Sequence, residues 1–395
     1  MTPKVMKLEL NMNLLKPRLI RGAALCLLTA CMAGDVLAGD KSDDGIAQIF
    51  HGAPKFKNDN GEYWKVRGRL MWDIATLSET PNGGLERSID DSEFRAARIG
   101  IEGKYGDFKF TAEADFAGSK TSYKDVNIAW SGPVKIKVGQ MKAGGSMEEL
   151  TSGRHTTFIE RGMITDGIGF DRRIGAQVSK SFEGGGLSAG IFGNSINGAK
   201  DGKPTNTIIT GRGYYAPIKD KANVLHFGAS VRHTDRALGA PKHSARWGSH
   251  LATEKIKPNV GDDALLFGLE AARIQGSFHA EAEFLSEEGD LGDVQGGFIQ
   301  AGYFLTGETR KYKDGKMDRT KPKKPVSKGG YGAWELAARF DTIDARGAGD
   351  EKVDAYTLGV NWHPESHARI SVNYTKANGD RFDADGFYMR LQMDW

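Results

Sequence analysis

The chain has 395 residues, with 54 Lys and Arg against 51 Asp and Glu, 52 Gly, 12 Pro and 2 Cys. Beyond the first 38 residues no stretch is long and apolar enough for a transmembrane helix. The near balance of charge gives no reason to expect a nucleic-acid partner.

Residues 1–38 read as an export signal. Lys16, Arg18 and Arg21 form a basic start, Gly22 to Met32 an apolar segment, and Val36-Leu37-Ala38 a small-residue cleavage site. Leu28-Thr29-Ala30-Cys31 offers an overlapping lipoprotein alternative. Both cysteines, Cys26 and Cys31, fall inside the leader, so the mature chain has no disulfide to hold it and needs another framework, such as a large sheet in lipid. Without the leader's five basic and two acidic residues, 49 of each sign remain. Any ion preference must then come from where charges sit. Residues 39–61 are expected to form a flexible N-terminal arm.

From residue 62 to 395 one pattern recurs: about ten residues of alternating polarity, a turn, and the same again, the signature of strands that face lipid on one side. In Tyr63 to Leu77, Trp64, Val66, Leu70, Trp72 and Ile74 oppose Lys65, Arg67, Arg69 and Asp73. Phe108, Phe110, Ala112, Ala114 and Phe116 then oppose Lys109, Thr111, Glu113 and Asp115. Val134, Ile136 and Val138 alternate with Lys135 and Lys137, and Leu225, Phe227 and Val231 with His226, Ser230 and Arg232. Further on, Phe278 and Phe284 face away from His279, Glu281 and Glu283, and Trp334, Leu336 and Phe340 from Glu335, Arg339 and Asp341. Ile370, Val372 and Tyr374 oppose Arg369, Ser371 and Asn373. The final run sets Phe387, Met389, Leu391, Met393 and Trp395 against Tyr388, Arg390, Gln392 and Asp394.

About sixteen such segments predict an all-β chain: a closed antiparallel transmembrane barrel whose last strand pairs with its first. Trp64, Trp72, Tyr105, Phe116, Tyr374 and Trp395 read as membrane-interface anchors. Tight turns such as Tyr105-Gly106-Asp107, Ser131-Gly132-Pro133 and Gln275-Gly276 read as periplasmic, and the longer polar loops as extracellular. Thr306 to Gly330 breaks this rule, because it is long yet falls on the tight-turn side. Either one such connection is unusually long or the strand count slips there. Its basic run Lys321-Pro322-Lys323-Lys324 reads as a solvated loop, with an anion funnel as the alternative.

Lys137-Val138-Gly139-Gln140-Met141-Lys142, Glu148-Glu149-Leu150-Thr151-Ser152 and Phe158-Ile159-Glu160-Arg161 resemble the phosphate-selective porin O/P family. So do the stretches Phe94 to Gly103, Gly332 to Arg339 and Thr357 to Trp362. The resemblance implies a sixteen-stranded homotrimer in the outer membrane of a Gram-negative bacterium, among lipid and lipopolysaccharide. It implies passive diffusion of phosphate, polyphosphate or other small anions past an inward-folded constriction loop, here about 141–171. This chain departs from the family pattern in two places: it has Arg95-Ala96 where many relatives have consecutive arginines, and Trp395 where barrels usually end in Phe.

Guanidinium groups suit phosphate because their planar donors match its oxygens in pairs. Arg154 and Arg161 are the expected loop contacts, with Arg67, Arg69 and Arg98 projecting from facing strands. Arg95 has the parity of Ile99 and faces inward only if a bulge intervenes near Ala96 or Ala97. The competing reading is that these charges pair with carboxylates and only hold the loop, as Glu160 with Arg161 could. No cofactor or metal is expected, and the nine histidines show no spacing with a serine or metal-ligand partner that would support a hydrolase. A general or cation-preferring porin, and a plugged receptor or adhesin, remain as alternatives.

Overall fold

A computed structural model of the chain describes residues 46–50, 52–198, 206–236 and 243–395. The expected leader, with Cys26 and Cys31, lies outside the described residues. Where the sequence suggested a flexible arm, strands Ile46–Phe50 and Pro54–Asn58 form a hairpin, and the second of them pairs with the first barrel strand through Lys55–Lys65 and Phe56–Trp64. Phe56 stacks on Trp64 at 4.4 Å, which gives the hairpin an apolar foothold on the barrel.

The barrel strands are β1 Tyr63–Pro81, β2 Arg87–Tyr105, β3 Phe108–Asp115, β4 Ser122–Ser131, β5 Lys135–Lys142, β6 Arg172–Phe182, β7 Gly185–Phe192 and β8 Thr207–Lys219. They continue as β9 Asn223–Asp235, β10 Asp263–Gln275, β11 Phe278–Gly289, β12 Gly292–Phe304, β13 Ala333–Asp344, β14 Lys352–Glu365, β15 Ala368–Gly379 and β16 Phe382–Asp394. Each pairs antiparallel with its sequence neighbour. β16 returns to β1, from Phe382–Pro81 to Asp394–Arg69, and closes the sixteen-stranded ring. At the seam Trp395 and Gly68 exchange backbone hydrogen bonds of 3.1 Å. A Cβ on Gly68 would stand 2.2 Å from the Trp395 indole, so the missing side chain is what lets that ring lie flat across the closure.

Alternation explains why these segments become strands. Leu70, Phe94, Ile99, Phe227, Leu269, Leu358 and Phe387 stay exposed on the outer surface, while Arg69, Asp73, Glu270, Glu283, Arg339 and Arg390 are buried inside. An ordinary water-facing exterior would not carry so continuous an apolar band; lipid satisfies it.

The connection at residues 305–332 does lie on the tight-turn end, between β12 and β13, and the strand count does not slip. That connection turns back into the barrel instead of hanging free. Its hairpin, Lys311–Lys313 with Lys316–Asp318, is held by Tyr312 Oη to His226 Nδ1 (2.7 Å) and by Arg212 donating to the Gly315 carbonyl (2.6 Å). The Lys321–Lys324 run is mostly exposed and takes no part in the lumen.

From the other end, residues 143–171 cross the interior with two short helices, α1 Met147–Leu150 and α2 Met163–Ile168. Their first N–H groups have no partner within the helix and are taken by barrel carboxylates: Met147 N by Glu270 (2.7 Å), Glu148 N by Glu283 (2.5 Å) and Met163 N by Asp341 (2.8 Å). The loop between β9 and β10 also folds inward, and Glu79 accepts from Trp247 Nε1 at 2.9 Å and Thr253 N at 3.0 Å. Trp247, Ile164, Ile168, Leu266, Leu285 and Ile343 then close into an apolar core inside the barrel. Each such fully buried side chain contributes about 1.5–3 kcal/mol. The β9–β15 side of the lumen is filled, and what remains open follows β1 to β8.

Candidate functional site

The open part of the lumen is a cavity of about 760 Å³ bounded by the inner faces of β1–β8, one residue of β16, the 143–171 loop and the tip of the inserted hairpin. Fifteen basic side chains line it against six carboxylates. A chain of nearly balanced total charge thus gathers a marked excess of cations along this passage. The low-dielectric walls around such a passage focus the field of a few charges onto whatever enters.

All six arginines singled out from the sequence line this cavity: Arg67, Arg69, Arg95, Arg98, Arg154 and Arg161. Their surroundings differ. Arg67 pairs with Glu102 (2.9 Å) and Glu113 (3.0 Å), and Arg98 with Asp115 (2.7 Å) and Glu113 (3.4 Å). Arg154 pairs with Asp394 at 2.9 Å. Among the described residues Arg161 donates only to the carbonyls of Glu148 (3.1 Å) and Thr151 (2.8 Å), and none of their carboxylates stands at ion-pair distance from it.

Arg69 stands apart. It is 6% exposed, sits opposite Arg98 across the β1–β2 pairing, and makes no side-chain hydrogen bond or ion pair with any described residue. Its guanidinium donors are the ones left for a ligand.

Arg95 reaches the lumen through a bulge. Met71 pairs with Ala96 and Trp72 with Phe94, so Arg95 is the unpaired extra residue at that step. The bulge falls at Arg95 itself, one residue before the stretch expected from the sequence. Arg95 is then bound in a fork by Glu160 at 3.0 and 3.2 Å. Glu160 holds the loop to the wall, but with Arg95 and Arg390 and not with Arg161. Arg390 grips Asp73 through two 2.7 Å bonds, Glu160 at 2.6 Å and the Ile159 carbonyl at 2.6 Å. Burial opposes the charge on Glu160, yet the two guanidiniums outweigh it and hold its carboxyl well below the usual carboxylate range.

Several lining residues were not singled out from the sequence. Lys135, Lys137, Lys180 and Lys316 line the cavity without an ion pair among the described residues. Inward parity marked Lys135 and Lys137, but nothing in the sequence marks Lys316, which the inserted hairpin carries in. Lys142 donates to the Glu149 and Thr151 carbonyls. Arginines gather at the level of the loop, and lysines line the wall toward the tight-turn end.

One acidic residue of the lining responds to pH. Burial pushes the Glu149 carboxyl up to about 6 against the pull of Arg232, Lys142 and Arg161. As pH falls through about 6 it takes a proton, and the passage gains one unit of positive charge. A charge about 8 Å from the ion path in a largely wet channel contributes about 0.7 kcal/mol. Anion conductance should therefore rise roughly threefold between pH 7.5 and pH 5. Glu149→Gln should show the high conductance at both pH values, and a flat wild-type profile would contradict the assignment.

Among the described residues no group of three or more His, Cys, Asp or Glu is arranged to hold a metal. The family described as phosphate-selective porin O and P matches residues 64–395. Porin O of Pseudomonas aeruginosa is 28% identical, with 94% of this chain and 98% of that protein covered. An uncharacterised protein of Caulobacter vibrioides is 32% identical over 82% of this chain and 70% of its own. Among solved structures, the outer-membrane protein OmpT of Vibrio cholerae is similar with a TM-score of 0.53 and 12% identity, covering 85% of this chain and 98% of its own. The anion-selective porin of Comamonas acidovorans gives 0.52 and 14%, covering 84% and 100%. At such identities the solved structures speak for the fold alone.

Proposed function

The chain belongs to the phosphate-selective porin O and P family, and from that membership together with the charge of its passage we propose that it conducts small anions, phosphate among them. It is an outer-membrane porin of a Gram-negative bacterium, a channel and not an enzyme. The observation that carries the anion reading is the cluster of Arg69 with Arg67, Arg98 and Arg154. Three of these are balanced by carboxylates and one is not.

An oxyanion entering from the long-loop end meets Arg161, Arg69 and their neighbours at the level of the loop. The guanidiniums replace part of its hydration shell with paired donors. The lysines beyond, each a compact and strongly hydrated charge, draw the ion onward without a rigid fork to trap it. A site must bind well enough to admit an ion and weakly enough to release it. Polyphosphate fits the same chemistry as a chain of such groups.

The cation-preferring alternative has no support in the lining charges. The receptor or adhesin reading loses ground because the lumen, though narrowed from both ends, keeps its charged passage.

The test is single-channel current in potassium chloride with millimolar phosphate added. Phosphate should reduce the chloride current in a saturable way, because both ions share one path and the arginines favour the oxyanion. Chloride current indifferent to phosphate would remove phosphate from the proposal.

Assembly as a homotrimer is part of the same reading. The wall from β3 to β7 has strands of only 8 to 11 residues, while those from β8 to β16 have 12 to 14. A low wall of this kind suits a face covered by further copies of the chain more than one covered by lipid. Light scattering of the detergent-solubilised protein should give three chains per particle; a monomer at all concentrations would remove this part.

A further inference from the structure

The lumen has a second and much smaller cavity where the 305–332 connection, the 143–171 loop and the tight-turn ends of β14 to β16 meet. It offers about 10 Å³, room for a single water-sized particle. Four polar atoms of its lining are buried without a hydrogen-bond partner among the described residues: Arg310 Nε, Arg369 Nε, Thr320 Oγ1 and His363 Nε2. Their residues are 2%, 2%, 4% and 7% exposed.

The charges are equally one-sided. Arg310 donates to the His155 carbonyl, and Arg369 to the Thr156 carbonyl (2.5 Å) and Gln392 Oε1 (3.2 Å). Every one of these acceptors is neutral, so two guanidiniums are buried without a carboxylate at ion-pair distance among the described residues. Arg154 and Arg319 line the same cavity and share the one carboxylate present, Asp394. Buried charge of one sign is strongly unfavourable unless a counter-charge reaches it. A water molecule supplies no such charge, and phosphate, with five heavy atoms, is too large. A monatomic anion accepts from several donors in any direction and is only somewhat larger than water.

We propose that this cavity binds one halide ion, chloride in the cell, which fastens the inserted 305–332 connection and the 143–171 loop to the barrel wall. Arg310 and Thr320 come from the connection, Arg369 and His363 from β14 and β15 of the wall, so the ion joins elements that are not neighbours along the chain. Arg154 stands between this site and the conducting passage, but Arg310, Thr320, His363 and Arg369 line only the smaller cavity, and the proposal does not rest on that passage preferring anions.

Crystals of the purified full barrel grown in bromide, measured at the bromine absorption edge, test it directly. The expected result is an anomalous peak among Arg310, Arg369 and Thr320, lost in Arg369→Gln. In parallel, replacing chloride by gluconate at constant ionic strength should lower the melting temperature of the wild type by roughly 5 °C or more and leave that of Arg369→Gln unchanged. Should Arg369→Gln fail to fold, Thr320→Val keeps both guanidiniums and should weaken the peak and the chloride dependence together. Water alone in the cavity, a wild-type melting temperature indifferent to halide, or halide stabilisation that persists in the variants would overturn the proposal.

Discussion

Replacing Arg69 by Gln is expected to weaken phosphate block of the chloride current about tenfold while the barrel folds as well as before. A unit charge about 6 Å from a passing anion, at an effective dielectric constant of about 40 between the wet and buried limits, contributes about 1.4 kcal/mol, which is that factor of ten. Arg69 should give the largest effect of the six arginines because it has neither a carboxylate against it nor the carbonyl acceptors that occupy Arg161, which leaves its donors for the ion. Arg154→Gln should do less, since Asp394 already balances Arg154 and remains paired with Arg319. Arg69→Glu changes the local charge by two units, and the same reasoning gives a loss of roughly a hundredfold. Stability serves as the control. Arg69 stands among other guanidiniums, so its removal relieves repulsion and leaves no buried partner unpaired. If Arg69→Gln kept full phosphate block, the oxyanion site would lie elsewhere in the passage.

The second large effect is on the loop that narrows the lumen. Arg390→Met should cost about 3–5 kcal/mol, the usual range when one partner of a buried ion pair is removed. Arg390 and Asp73 are 3% and 4% exposed at their side chains and bonded in a fork, and the same guanidinium reaches Glu160 and the Ile159 carbonyl. Without it Asp73 is an uncompensated charge, and Glu160 keeps only Arg95. The loop should then move, and the open-channel current should become noisy. Combining Arg390→Met with Asp73→Asn removes both charges and should recover part of the loss, the signature of coupled neighbours. Urea unfolding in lipid vesicles measures the stability and single-channel recording the noise. An unfolding curve like that of the wild type would show that the loop is held by its helices and apolar core, not by Arg390.

These two residues also show what a sequence alone makes legible. Arg67, Arg69 and Arg98 could be aimed at the lumen because lipid on one side and water on the other impose a period of two that survives in the residue types. Arg390 carried the same inward parity, yet its importance depends on Glu160 and Asp73, which lie 230 and 317 residues away along the chain. Arg95 needed a bulge, and the two-for-one step opposite Met71 and Trp72 is a property of the strand pair and not of either strand read alone.

The interior was the least legible part. A polar loop has much the same composition whether it faces water or is buried against polar walls, so residues 305–332 gave a sign of an anomaly and not of insertion. For the same reason the reach of Trp247 to Glu79 could not be read, because inward acidic residues look alike until their partners are known. The hairpin at residues 46–58 was hidden similarly: its two strands are only five residues each, and what ties it to the barrel, Phe56 on Trp64 and Lys55 over the Tyr63 ring, is a matter of pairing with β1.

Position, not total charge, gives this channel its preference, because a chain of nearly balanced charge lines its passage with an excess of cations. The most direct test is the zero-current potential of the purified porin in a planar bilayer under a potassium chloride gradient. The expected potential lies near the chloride equilibrium value, with reduced magnitude in Arg69→Glu. A wild-type potential near the potassium value would contradict it.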